Sequence, residues 1–203
     1  MTETATRDTY HHGNLRAALV DAGLELTRRG GPAALSLRDV TRRAGVSPSA
    51  AYRHFADREQ LLHAIAQRIQ DDMAARMQAS SADSAGLTGR ERLRAVGLGY
   101  IAFARRETGW FETAFFTSRA LPGESGMPAP LIALVDALDA MVREGDLPAS
   151  ARPGAEWPCW SAVHGFALLV LHGPAGRLSE SEIQDVAARV VDTAIRGLAD
   201  RAP

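Results

Sequence analysis

Lysine is missing altogether: all 23 basic residues are arginine. So complete a lack reads as coding bias and is assigned no function. Cysteine occurs once, at Cys159, which excludes an internal disulfide and any zinc site built from several thiolates. No apolar run approaches the ~18 residues a membrane helix needs. The longest, Phe166 to Leu171, stops at His172 and Gly173. The N-terminal stretch MTETATRDTYHHGN is polar and lacks the apolar segment of a secretory signal, so a cytoplasmic protein with no membrane partner is expected. Val-Ile-Thr runs bounded by turns are scarce, which argues against a sheet. Also lacking are a G-x-S-x-G turn, a phosphate loop, a metal-ligand triad and paired carboxylates in an apolar setting. Neither an enzyme nor a metal or cofactor is therefore expected.

What is present is ordinary for a globular chain: 203 residues, 46% hydrophobic and 23% charged. Leucine, alanine, methionine and arginine recur at helical spacings, predicting an all-α fold of about nine helices. Net charge is -1, but it is unevenly spread. Residues 1–58 hold nine arginines against six acids, a net +3, so the remainder carries -4. The sign suits a basic head on an acidic body.

Leu15, Leu19, Ala22 and Leu26 mark one face of a first helix beginning near Asn14 and ended by Gly30-Gly31-Pro32. Ser36, with Asp39 three residues on, caps a short second helix that Gly45 breaks. Ser47 and Pro48 open a third, expected to run to about Phe55. Asp57 and Gln60 open a fourth, reaching the small-polar SSADSAG stretch at 80–86. That stretch divides an N-terminal domain, 1–80, from a C-terminal one, 87–203. Five more helices are expected over roughly 89–106, 108–118, 130–144, 154–172 and 179–200, with a loose loop at 121–130. The last opens on a Ser179/Glu182 capping box.

Two short helices joined by a glycine turn make a rigid corner, and a B-DNA major groove admits one α-helix. In the segment SPSAAYRHF, Val46, Ala51 and Phe55 can face inward. Ser49, Ala50, Tyr52, Arg53 and His54 are left outside, a set of hydrogen-bond donors beside a small methyl. A helix-turn-helix at about 36–55 is the reading, against the plainer alternative of a helical corner in an unrelated all-α protein.

The run YHHGNLRAALVDAGLEL…LSLRDVTRRAGVSPSAAYRHFADREQLLHAI, about residues 10–70, resembles the N-terminal domain of TetR-family transcriptional regulators. The resemblance implies that Ser49, Ala50 and His54 contact bases, that Ser47, Tyr52 and Arg58 contact phosphate, and that Arg38 reaches either. Pro48 and Arg53 complete the DNA-facing set. Thr41 stands where the family usually has alanine, and Ala51 where leucine is common.

The resemblance also implies a helical ligand-sensing and dimerisation domain over 87–203. WSAVHG, Trp160 to Gly165, is similar to a C-terminal subtype named for its Trp-His-Gly signature. The last two helices are apolar over more surface than one small core needs, which suits a homodimer and an inverted-repeat operator. Trp110, Phe111, Phe115, Phe116, Met141, Trp157, Trp160 and His164 are candidates to line an effector pocket, although aromatics at helical spacing are more often core. His11 and His12 suit a basic arm brushing DNA. The expectation is a dimeric repressor of double-stranded DNA released by a small apolar molecule. The rivals are an activator, a ligand-independent architectural DNA binder, and a helical enzyme or cofactor carrier.

Overall fold

A computed structural model describes residues 5–82, 86–116 and 126–199. Among the described residues there are nine α-helices, three short 3-10 turns and no strand. The linker expected at 80–86 and the loop expected at 121–130 lie partly outside the described residues, as do the side chains of His11 and His12. No described helix is long and apolar enough to cross a membrane.

The chain forms two compact units. The first comprises residues 1–69 and 107–124. It holds α1 (Ala5–Gly30), α2 (Leu37–Ala44), α3 (Pro48–Tyr52), the first half of α4 (Arg58–Ala82) and α6 (Thr108–Phe116). Helix α1 starts well before Asn14, because residues 5–13 contain no proline, and the single Gly13 costs a helix only about 1 kcal/mol. Leu19, Val40, Ala51, Phe55, Leu61 and Ile65 form its core, each at most 2% exposed.

Helix α6, expected with the C-terminal helices, belongs to this first unit and packs on α1. The close approach requires Gly109: a Cβ there would stand 2.4 Å from the Thr27 carbonyl oxygen and 2.6 Å from that of Arg28. Beside it the Trp110 indole N–H donates to the Leu24 carbonyl at 2.8 Å. Glu107 is buried and accepts from both Nε and Nη2 of Arg28 at 2.7 Å. That bond and the carboxylate's charge hold the Arg28 guanidinium above its ordinary pKa. The same guanidinium lies 5.1 Å over the Trp110 ring.

The second unit comprises residues 70–106 and 125–203. It holds the rest of α4, then α5 (Gly89–Arg106), α7 (Ala129–Glu144), α8 (Glu156–Leu171) and α9 (Glu180–Ala199). Helix α5 is central, packing on α7, α8 and α9. Its Leu93, Val96, Tyr100 and Phe103 are buried with Leu138, Val163 and Val191. Ion pairs fasten the outer edges: Arg94 with Asp192 at 2.7 Å, Arg152 with Asp139 at 2.6 Å, and Arg105 with Glu180. The Ser179/Glu182 box closes fully: Glu182 N–H donates to the serine hydroxyl, and the Ser179 N–H to the carboxylate at 2.8 Å. The Ser179 hydroxyl also donates to that carboxylate at 2.7 Å, and this bond, with the one from the Ser179 N–H, holds the Glu182 carboxyl below its ordinary pKa.

Candidate nucleic-acid interface

The corner is built by short-range hydrogen bonds. Ser36 adopts an extended backbone and its hydroxyl accepts the Asp39 N–H at 3.1 Å, starting α2. In return the Asp39 carboxylate accepts the hydroxyl proton, and that bond lowers its pKa. Gly45 ends the helix in the left-handed region, at φ +69°, where a Cβ would be strained. Val46 N–H then closes on the Thr41 carbonyl at 3.0 Å. The departure at Thr41 is accommodated, for its buried hydroxyl donates to the Arg38 carbonyl at 3.0 Å. Ser47 caps α3 through the Ala50 N–H at 3.3 Å, with Pro48 in the first turn.

Helix α3 is shorter than expected. It ends at Tyr52 with Arg53 as its cap, so His54 follows on a turn. Its inner side is set by Ala51 and Phe55, 0% and 2% exposed. The small Ala51 brings α3 close to the core. Ser47, Pro48, Ser49, Tyr52 and Arg53 are exposed, Ala50 and His54 half-buried. Tyr52 is 56% exposed although large and aromatic, and its ring faces away from the unit's core.

The arginines divide by what they already hold. Arg42 pairs with Asp39 and Arg43 with Glu25, each at 2.6 Å. Arg58 is spent inside the unit. Its Nε donates to the Leu35 carbonyl at 2.9 Å, Nη2 to that of Pro32 at 2.6 Å, and Nη1 to Glu59 at 3.1 Å. It straps the start of α4 to the 3-10 turn Pro32–Ala34, a role that its sequence position did not disclose. Among the described residues, the side chains of Arg38 and Arg53 are exposed and held by no hydrogen bond or ion pair. Two unengaged cations thus flank a short, serine-capped helix with its polar side outward. That arrangement can neutralise phosphates and present donors to base edges.

The family profile for bacterial regulatory proteins, tetR family, matches residues 19–65, and that for the tetracyclin repressor-like C-terminal domain matches residues 93–194. The chain belongs to the TetR family. It is therefore a helix-turn-helix transcriptional regulator of the TetR class. The HTH-type transcriptional regulator BetI of Rhizobium meliloti is 38% identical over 85 residues, a match spanning 40% of this chain and 39% of that protein. A protein of unknown function from Rhodococcus sp. RHA1 is 27% identical, with 94% of this chain and 98% of that one aligned and a TM-score of 0.71. The regulator FadR of Bacillus subtilis, solved in complex with stearoyl-CoA, shares the fold at 15% identity and TM-score 0.61, over 89% of this chain and 98% of that one.

The expected effector residues of this TetR-family chain do not gather into one group. Trp110, Phe111 and Phe115 belong to α6 in the first unit, where Trp110 and Phe111 are buried and Phe111 and Phe115 pack ring to ring at 4.9 Å. Phe116, on the same helix, is 51% exposed. Met141 is buried beneath the start of α5, beside Gly89. Trp157 points outward at 59% exposure. Trp160 lines a cavity in the second unit, and His164 joins it through Tyr100, whose hydroxyl is 2.8 Å from His164 Nδ1. Tyr100 was not singled out from sequence, since a lone tyrosine 64 residues from its partner leaves no local signal. Burial lowers the His164 pKa and raises that of Tyr100. Among the described residues no three His, Cys, Asp or Glu side chains gather as a metal site would require.

Proposed function

We propose that the protein is a homodimeric repressor that grips an inverted-repeat operator with one α3 per half-site and lets go when a small molecule binds the second unit. The observation that carries this reading is the outward side of the corner, formed by α3 and the turn that follows it. There Ser49, Ala50 and His54 are the base-side residues, Ser47, Pro48 and Tyr52 lie along the phosphates, and Arg38 and Arg53 supply the charge. DNA binding is assigned to residues 1–80 and effector binding and dimerisation to 87–203, with α6 of the latter stretch packed into the first unit.

Dimerisation is supported by the outer faces of α8 and α9. Pro158 and Ala162 on α8, with Val190, Thr193 and Gly197 on α9, line an open cleft, and Trp157 and Leu169 stand exposed on α8. Pairing such faces in two copies makes a four-helix bundle and gives two reading helices, the number a specific operator needs because one short helix rarely suffices. The stearoyl-CoA complex of FadR, which is similar in fold, supports a small-molecule effector. The effector must bind one arrangement of the heads better than the other, or DNA is not released.

Footprinting on the DNA flanking the protein's own gene tests the reading. A protected inverted repeat with half-sites about one helical turn apart, or a multiple, is the expected result. Protection of a single half-site, or none, would overturn it.

A further inference from the structure

The cavity in the second unit has walls of one chemical kind. Leu93 and Gly97 of α5, Leu134 of α7, Val163 of α8 and Val191 and Ile195 of α9 contribute to it, with the rings of Tyr100 and Trp160 meeting edge to face at 5.1 Å. None of its lining residues is charged. Charged side chains of the surrounding helices pair away from the cavity wall, Arg94 with Asp192 and Arg92 with Glu144. The polar groups on the wall are already engaged or kept neutral. The Tyr100 hydroxyl is shared with His164, and burial pushes the Cys159 thiol up to about 11.

We infer that this cavity takes a compact, uncharged, hydrocarbon-like molecule whose recognition needs neither a counter-ion nor a hydrogen bond. The inference rests on reading the second unit as the effector-binding part. A carboxylate placed here would lose its hydration and find no cation, an imbalance that burial makes severe. An apolar ring meets only aliphatic carbon and aromatic edges, with Met77, a side chain that adapts to irregular shapes, on one wall.

The cavity is also small. Its volume is about 20 Å³, against the ~150 Å³ that accommodates benzene in an engineered core. An occupant must therefore part the side chains of α5, α8 and α9, so binding and a change in helix packing are one event. Gly97 gives the means to test this. A methyl there would stand 3.0 Å from Val191 Cγ2 and 3.5 Å from Val163 Cγ1, inside the space the ligand would occupy.

The test uses the full chain without DNA, with toluene as the apolar probe and octanoate and stearoyl-CoA as charged ones, read by titration calorimetry and by the unfolding midpoint. Toluene is expected to raise the midpoint by about 5–10 °C at a hundredfold excess over Kd, and the charged probes to leave it unmoved. Gly97→Ala should weaken toluene about ten- to two-hundredfold, whereas Tyr100→Phe, compared with its own ligand-free form, should leave it unchanged. Leu134→Phe is a second filling variant, and each variant's ligand-free midpoint reports whether it folds. Absence of toluene binding, binding indifferent to both filling variants, loss of binding in Tyr100→Phe, or preference for octanoate or stearoyl-CoA would overturn the inference. Release of operator DNA is measured separately: toluene that binds at this cavity without releasing DNA keeps the ligand class and rejects the effector reading.

Discussion

The helix-turn-helix corner and the helical body are stabilised over different lengths of chain. In the corner the decisive contacts span three to five residues: Ser36 to Asp39, Ser47 to Ala50, Val46 back to Thr41. In the body they span nearly half the chain or nearly a third of it, as Arg94 to Asp192 and Tyr100 to His164 do. The corner also leaves a tyrosine and the unpaired side chains of Arg38 and Arg53 facing water, whereas the body turns its tyrosine inward. A surface that must meet a groove can be specified locally, because its partner lies outside the chain. A cavity is the space left by several helices, and no one segment specifies it.

Breaking the α1–α6 contact should have the largest effect. Gly109→Leu drives a side chain into the backbone of α1, and overpacking of this kind costs about 3 kcal/mol, to be read from denaturant unfolding. The corner's own hydrogen bonds would survive such a change, so fragments of residual head structure by NMR would sharpen the contrast between local and distant support. Next comes the Arg28–Glu107 pair. Arg28→Met leaves the buried Glu107 carboxylate without its guanidinium, while Glu107→Gln leaves a half-exposed arginine that water can solvate. The first substitution should therefore lower the urea midpoint more than the second. Equal losses would show that the carboxylate is not buried as described.

Smaller effects mark each side of the comparison. Ser36→Ala removes the cap of α2 at about 1 kcal/mol, with Ser36→Asp restoring most of it in thermal unfolding. In the body, His164 is held neutral by burial, its folded pKa lying below the ordinary 6.5. The unfolded chain then binds the proton more readily, so this stabilisation is complete above pH 6.5 and is lost as pH falls through the folded value. The unfolding midpoint should drop on acidification in wild type and drop less in His164→Gln. The subtlest contrast is between two arginines of the head. Arg53→Ala should reduce the salt slope of operator binding by about 0.9, whereas Arg58→Met should weaken binding and lower the midpoint with the slope kept, because Arg58 holds carbonyls rather than phosphate.

Much of the head was legible in its residues, since caps, a glycine at positive φ and alternating inward and outward positions are local signals. Two of its features were not legible: α3 is closed by Arg53 rather than Phe55, and Arg58 carries two backbone carbonyls that no spacing announces. The body's helices were legible from periodicity, but not their partners. Trp110, Met141 and Trp160 share a helical, apolar setting in sequence, yet the first bonds α1, the second fills core under Gly89 and the third lines the cavity. Glu107 sits between two helices with nothing nearby to reveal an arginine 79 residues earlier.

The claim on which the account turns is that the outer side of α3 and of the turn after it reads bases. Binding of wild type and His54→Ala to a library of operator variants at fixed salt tests it directly. The account predicts relaxed preference at one or two base pairs, by about 1–3 kcal/mol, with preferences elsewhere retained. An unchanged preference at every position, in His54→Ala and again in Ser49→Ala, would contradict it.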